Sequence, residues 1–179
     1  ALVMYDHQTD SLWSSFTGDA VRGPMAGTKL GILPALQTTW GRWKELHPDT
    51  MVLEQGLSYQ YDSYNSYYSG GSAGVIGENR SDDRLYKKEF VLGLVINGEA
   101  KAYAFGDLNQ QPVVNDTLAG KDLVVTFDPE SATGGTFSRN VDGRTLTFRP
   151  LESDSLLMAD EETGTHWRML TGEAVAGEL

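Results

Sequence analysis

Residues 2–25, LVMYDHQTDSLWSSFTGDAVRGPM, and residues 156–179, LLMADEETGTHWRMLTGEAVAGEL, are two versions of one segment, aligned without a gap at an offset of 154. Leu2/Leu156, Met4/Met158, Asp6/Asp160, Thr9/Thr163, Trp13/Trp167, Thr17/Thr171, Gly18/Gly172, Ala20/Ala174, Val21/Val175 and Gly23/Gly177 are identical. Ten identities in 24 positions, a tryptophan and two glycines among them, are more than two unrelated hairpins would share. The period far exceeds the roughly 20–50 residues of a solenoid unit, so a domain has been duplicated. Strand-like sequence at 83–155 precedes the second copy and has no counterpart before the first, whereas residues 26–53 follow the first copy only. The expected organisation is therefore the C-terminal part of a first repeat at 1–53, a linker or surface loop at 54–82, and a second repeat without its tail at 83–179. Because Ala1 is not an initiator methionine, an upstream portion is expected to have been removed.

The fold class expected is mainly β, an antiparallel sandwich or barrel-like arrangement built on the duplicated repeat, with one short helix. Residues 90–105 are a hairpin, since Asn97-Gly98 supplies the two positive-φ positions of a type I′ turn between β-prone runs. Three further hairpins are expected. Val113–Thr117 and Leu123–Phe127 flank the turn at 118–122, Thr136–Arg139 and Arg144–Phe148 flank 140–143, and Leu156–Ala159 and Thr165–Leu170 flank 160–164. Strands so spaced, with glycine in each turn, suit a sandwich or a barrel. The helix is expected over 40–47, capped by Thr38 or Thr39 and stopped by Pro48.

Charge and composition exclude several functions. A net charge of -11 repels a phosphate backbone, so nucleic acid is not an expected partner. The absence of cysteine removes disulfides, thiolate catalysis, zinc–thiolate sites and iron–sulfur clusters. No apolar run reaches the ~18 residues of a membrane span. There is no Gly-x-Ser-x-Gly elbow, and the glycine-rich run at 70–74 lacks the Gly-Lys-Ser/Thr of a phosphate loop, so no catalytic and no cofactor-binding residue is assigned.

Four sets of residues remain as candidates. Asp6, His7 and Asp10 bring two carboxylates near one imidazole; they are either a polar turn or a site for a divalent, oxygen-seeking cation, which is the one cofactor left open. Trp40 and Trp43, on one stripe of the helix, either pack onto a sheet or stack on a ligand. Tyr59, Tyr61, Tyr64, Tyr67 and Tyr68 stud the Gly/Ser-rich stretch 54–82. Tyrosine offers large contact area at low entropic cost, so this stretch is expected to lie on a surface, either the chain's own or a partner's. The loop Asp128-Pro129-Glu130-Ser131, at the end of a strand, is either a vestigial active-site loop or a turn.

Taken in order, LVMYDHQTDSLWSSFTGDAVRGPMAGTKLGILP, TTWGRWKELHPDTMVL, SDDRLYKKEFVLGLVINGEAKAYAF, VVNDTLAGKDLVVTFD and DGRTLTF resemble successive blocks of the prokaryotic family catalogued as domain of unknown function 3179. The resemblance runs along nearly the whole chain. It implies two tandem β-rich repeats in a protein often exported or membrane-associated, and a portion before residue 1 carrying a Cys-Pro-x-Cys-Gly motif and a nearby histidine. At the equivalent stretch of the second repeat, Asp128 and Ser131 stand where those cysteines would be, and Gln111-Pro112 stands where the histidine would precede Val113-Val114-Asn115-Asp116. No site residue is therefore carried over.

Three functional readings follow. The favoured one is a non-catalytic structural or binding β-module, extracellular, periplasmic or at the cell surface, open to self-association or a protein partner. In one form of it, residues 26–53 complete a second repeat, in the same molecule or head-to-tail in a neighbour. The alternatives are the scaffold portion of a metal- or redox-active enzyme whose site lies upstream, and a carbohydrate-binding module using Trp40, Trp43 and the tyrosines.

Overall fold

The computed structural model describes residues 3–31, 33, 35–54, 64–71 and 82–179; of the candidate residues, Tyr59 and Tyr61 lie outside this set. The described residues form two compact units, one up to Ala35 and one from Leu36 onward.

In the first unit, β1 (Val3–Tyr5), β2 (Leu12–Ser14) and β3 (Ala20–Arg22) make an antiparallel meander in that order. Its strands pair Met4 with Trp13 and Trp13 with Ala20, and the register shifts between Leu12 and Trp13. An isolated bridge between Asp19 and Lys29 extends the meander.

The second unit opens with α1 (Trp40–Leu46) and α2 (Asn65–Ser69). The hairpin β4 (Val91–Ile96) and β5 (Glu99–Ala104) follows in the expected register, with Ile96 opposite Glu99 and Asn97 and Gly98 at φ of 50° and 84°. The chain leaves β5 directly into α3 (Phe105–Leu108). Among the described residues the one short helix expected is thus joined by two more. Both are single local turns, closed by Tyr68 N–H to the Tyr64 carbonyl at 3.0 Å and by Asn109 N–H to the Phe105 carbonyl at 2.9 Å. Helices this short carry no periodic signal, which is why the apolar pattern does not announce them.

Next come β6 (Val113–Leu118), β7 (Lys121–Asp128) and β8 (Thr133–Ser138), a three-stranded sheet with β7 in the middle. The turn between β6 and β7 is tighter than the five residues expected, because Ala119 and Gly120 both take positive φ, 48° and 72°, and let pairing run to Leu118–Lys121. The third hairpin is likewise narrower. β9 (Asn140–Val141) and β10 (Arg144–Thr145) pair across Asp142-Gly143, at φ of 49° and 79°, while β8 pairs with β7 instead. Finally β11 (Phe148–Leu151), β12 (Asp154–Asp160), β13 (His166–Arg168) and β14 (Ala174–Ala176) form a four-stranded antiparallel sheet in chain order.

The second unit is mainly β and layered, and no closed barrel forms among the described residues. The middle layer is β6–β8, and β7 is buried from Leu123 to Asp128, so both its faces are covered. Side chains alternate along a strand. One face therefore sends Leu123, Val125 and Phe127 to a core shared with Tyr103, Leu108 and Leu118, capped by Leu92, Leu94 and Ile96 of the β4–β5 hairpin. The other sends Val124 to a core shared with Val113, Leu146, Phe148, Met158, Trp167 and Met169. Thr126, on that second face, donates to the Met169 carbonyl at 2.5 Å. Asn115 ties the middle layer to β11 as a strand would: its Nδ2 donates to the Phe148 carbonyl at 2.7 Å, and its Oδ1 accepts from Phe148 N–H at 2.8 Å. No helix among the described residues is long and apolar enough to cross a membrane.

Candidate functional site

The duplication holds down to single hydrogen bonds. Shifted by 154, β1, β2 and β3 land on residues 157–159 of β12, on β13 and on β14, with the pairings Met4–Trp13 and Met158–Trp167 and the same register shift after the first residue of the middle strand. At the turn, Asp6 Oδ1 accepts from Thr9 N–H at 2.6 Å, and Asp6 Oδ2 accepts from the Trp13 indole N–H at 2.8 Å. Asp160 does the same with Thr163 N–H at 2.6 Å and Trp167 at 2.9 Å. Thr9 Oγ1 lies 2.7 Å from Ser11 Oγ, which accepts from Met25 N–H at 3.1 Å; Thr163 Oγ1 lies 2.8 Å from Thr165 Oγ1, which accepts from Leu179 N–H at 3.1 Å. Asp6, the first of the three metal candidates, thus belongs to a structural knot that the second copy reproduces with Glu161 in the place of His7.

The electrostatics follow from the donors. The Trp13 indole, and then the Thr9 hydroxyl and backbone N–H, hold the Asp6 carboxyl at about 2, well below the usual carboxylate range. For Asp160, burial pushes upward, but the indole of Trp167 and the donors of Thr163 and Thr165 outweigh it, and its carboxyl is also lowered. Asp10, at a φ of 55°, accepts from the Tyr5 hydroxyl. His7 is exposed, with its ring edge-on to Tyr5 at 5.1 Å. Among the described residues no three acidic or histidine side chains gather around one point where a metal would sit.

The aromatic candidates surround a residue that the sequence reading missed. Thr39 caps α1, its Oγ1 accepting from Arg42 N–H at 3.2 Å, and the helix ends at Leu46, before Pro48. The tryptophans are not buried: Trp40 is 50% exposed and Trp43 37% exposed. Trp43 donates its indole N–H to Thr50 Oγ1 at 2.8 Å and packs tilted against the His47 ring at 4.3 Å, and the Lys44 ammonium lies 5.7 Å from the Trp40 ring. The helix docks through Arg42. Its Nε donates to Asp128 Oδ2 at 2.9 Å, its Nη2 to Glu130 at 3.1 Å, and its Nη1 to Glu45. Burial works against the guanidinium's charge, yet Asp128 first, then Glu45 and Glu130, overcome it and raise its pKa. The signal for this pairing was an arginine inside an otherwise aromatic helix and an Asp-Pro-Glu loop 86 residues away, and no local pattern joins the two.

That loop is closed. Asp128, Ser131 and Thr133 are buried. Asp128 Oδ1 accepts from Glu130 N–H at 3.0 Å, and Oδ2 accepts from Arg42 and from the Ser131 hydroxyl. Ser131 Oγ lies 2.7 Å from Thr133 Oγ1, which donates to Thr38 Oγ1 at 2.7 Å. A serine needs a base matched to its proton to become a nucleophile. Here its neighbour is a carboxylate already neutralised by Arg42, and the hydroxyls form a chain ending on Thr38. The two positions that correspond to cysteines in the resembling motif therefore hold an ion pair and a hydroxyl chain. The motif's glycine falls on Ala132, whose φ of 50° is a left-handed conformation that glycine adopts without strain.

The remaining tyrosines lie around α2. Tyr64 and Tyr68 are exposed, and Tyr67 sits with the Lys88 ammonium 4.1 Å from its ring while Lys88 also donates to the Gly70 carbonyl at 2.5 Å.

A family model described as "Protein of unknown function (DUF3179)" matches residues 1–94 and 75–179, which together take in the whole chain. No curated protein and no solved structure matches.

Proposed function

Because the chain belongs to the DUF3179 family of proteins of unknown function, we propose a role from its own residues: a non-catalytic structural or binding β-module of the cell surface or extracellular space. The observation that carries this reading is the saturation of the Asp128–Thr133 loop. The Asp128 carboxylate accepts three hydrogen bonds, from Arg42, Ser131 and Glu130 N–H, and both of its oxygens are engaged by the protein itself. Reactive side chains at working sites keep a face for substrate, and this loop turns its polar groups on one another. The location rests on the exported or membrane-associated habit of the proteins the chain resembles. Two measurements test the reading. Stoichiometric transition metal in protein isolated from its own cells would refute the non-catalytic part. Recovery in the cytoplasmic fraction, with protection from protease added to intact cells, would refute the location.

A carbohydrate-binding reading is favoured by one observation, the half-exposed indoles of Trp40 and Trp43 on a short, capped helix. Indole faces presented to water at low conformational cost suit stacking on sugar rings. Affinity electrophoresis in gels cast with a panel of polysaccharides tests it. Retardation lost in Trp40→Ala supports the reading, and unretarded migration on every polysaccharide ends it.

A further inference from the structure

At the tip of the β4–β5 hairpin, Asn97 alone of the six asparagines in the chain precedes a glycine. It stands exposed, with open space where a Cβ on Gly98 would lie. Other asparagines are placed less freely. The amide of Asn115 is held at both ends by the backbone of Phe148. Asn140 accepts from the Thr145 hydroxyl and precedes the β-branched Val141.

The turn sets the distance between the Gly98 nitrogen and Asn97 Cγ. Both central residues have positive φ, 50° and 84°, as a type I′ turn requires. A type II′ turn keeps the positive φ of the first residue and takes its ψ to about −120°. Passing from one to the other rotates only the Asn97–Gly98 peptide plane, and Gly98 accepts the change in its own φ because it has no Cβ. Both turns close a two-residue hairpin, so Ile96 stays opposite Glu99 throughout. After the rotation the Gly98 nitrogen eclipses the Cα–Cβ bond of Asn97, which is the arrangement of a five-membered imide ring. The folded hairpin reaches the reacting geometry without opening.

We propose that Asn97 is a self-modifying site, deamidated from within the native hairpin with water as the co-reactant. The Gly98 nitrogen gives its proton to the solvent and bonds to Asn97 Cγ. The Cγ–Nδ2 bond breaks, and the side-chain nitrogen takes up a proton and leaves as ammonia. Water then adds to one of the two imide carbonyls. Opening on the side-chain side leaves aspartate at 97, and opening on the backbone side leaves isoaspartate, whose chain runs through Cγ. The two products suit the fold differently. Asp142-Gly143 makes the same kind of turn between β9 and β10, at φ of 49° and 79°, so aspartate is accepted in such a tip. Isoaspartate adds a carbon to the backbone, and the two-residue turn that sets the Ile96–Glu99 register is lost. The hairpin lays Leu92, Leu94 and Ile96 against the core of Leu123, Val125 and Phe127, so the isoaspartyl form loosens the cover of that core. The proposal rests on neither functional reading above.

The full chain is aged in mildly alkaline buffer made with heavy-oxygen water, once native and once in urea. Peptide mapping with fragmentation that separates aspartate from isoaspartate follows each asparagine. Heavy oxygen is expected to enter at residue 97 faster than at any other asparagine. The native rate is expected to stay within about tenfold of the rate in urea, since the peptide-plane rotation replaces opening of the hairpin. Suppression by more than about tenfold on folding, or faster reaction at another asparagine, overturns the proposal. Hydrogen exchange then compares the chromatographically separated isoaspartyl protein with the Asn97→Asp variant. Amides of β4 and β5 should exchange in the variant as in the starting chain and at least about tenfold faster in the isoaspartyl form. Equal exchange in the two overturns the assigned loosening of the hairpin.

Discussion

Asp160→Asn changes one atom in the buried turn knot and nothing of its shape. The carboxylate accepts from Thr163 N–H at 2.6 Å on one oxygen and from the Trp167 indole at 2.9 Å on the other, with the Thr163 hydroxyl near both. Asparagine offers one acceptor and one donor. The hydroxyl can rotate to accept from the new NH2, but either the backbone N–H or the indole N–H must then face a donor. A hydrogen bond to a charged acceptor is worth about 1.5–3 kcal/mol, and an orphaned buried donor costs about 1–3 kcal/mol. The two overlap, so the expected loss is about 2–4 kcal/mol, or roughly 5–15 °C in Tm for a domain of this size. Urea unfolding followed by far-ultraviolet circular dichroism measures it, and the double variant with Trp167→Phe isolates the pair, which should couple by more than about 0.5 kcal/mol. The cost should depend on pH. The folded carboxyl is lowered, so its contribution is fully present above the unfolded value of about 3.9 and is lost as pH falls through the folded one. The penalty of Asp160→Asn should therefore shrink in strongly acidic solution. A loss below about 0.5 kcal/mol at neutral pH, or a penalty that grows on acidification, refutes the reasoning.

Other expectations follow from the same contacts. Asp6 should titrate at about 2 in a carboxyl-detected NMR experiment, and Trp13→Phe, which removes its foremost donor, should raise that midpoint. In Gly177→Ala the new Cβ would lie 2.5 Å from Thr165 Cα at a φ of 126°; contact with backbone leaves no easy relaxation, so a loss of about 2–4 kcal/mol in thermal unfolding is expected. Arg42→Ala leaves Asp128 buried without its cation, which should cost about 3 kcal/mol and quicken proteolysis between His47 and Glu54 as α1 comes free. Ala132→Gly relieves a left-handed alanine and should stabilise by up to about 1 kcal/mol, read as a higher urea midpoint.

The strongest part of the sequence reading concerned periodic or repeated signals. Asn97-Gly98 announced its hairpin because that turn requires two positive-φ residues, and the structure has both. Thr39 and Pro48 bounded α1 because capping and proline act on the backbone next to them. The repeat announced a shared meander, and the shared Asp, Thr and Trp turned out to be one hydrogen-bonded knot present twice. What was not legible was partnership at long range. Asp6, with His7 and Asp10, read as either a polar turn or a cation site, because a carboxylate beside a histidine in a turn looks alike from the sequence whether or not an indole seven residues on donates to it. Trp40 and Trp43 drew attention on the helix, while Arg42 between them holds it down, through a loop far away in the chain.

Sequence by itself determined that this chain is mainly β, that its turns fall where glycine and asparagine permit them, and that one three-stranded segment occurs twice. These are properties of neighbouring residues, set by backbone sterics and side-chain alternation. Only the tertiary structure decided that Asp128 and Ser131 close on Arg42 and that Met158 is buried where Met4 is exposed. Burial and ion pairing depend on which surfaces meet: two segments with ten of 24 residues identical share their turns, while Met158 is buried by packing with Val113 and Val124 of β6 and β7, far away in the chain.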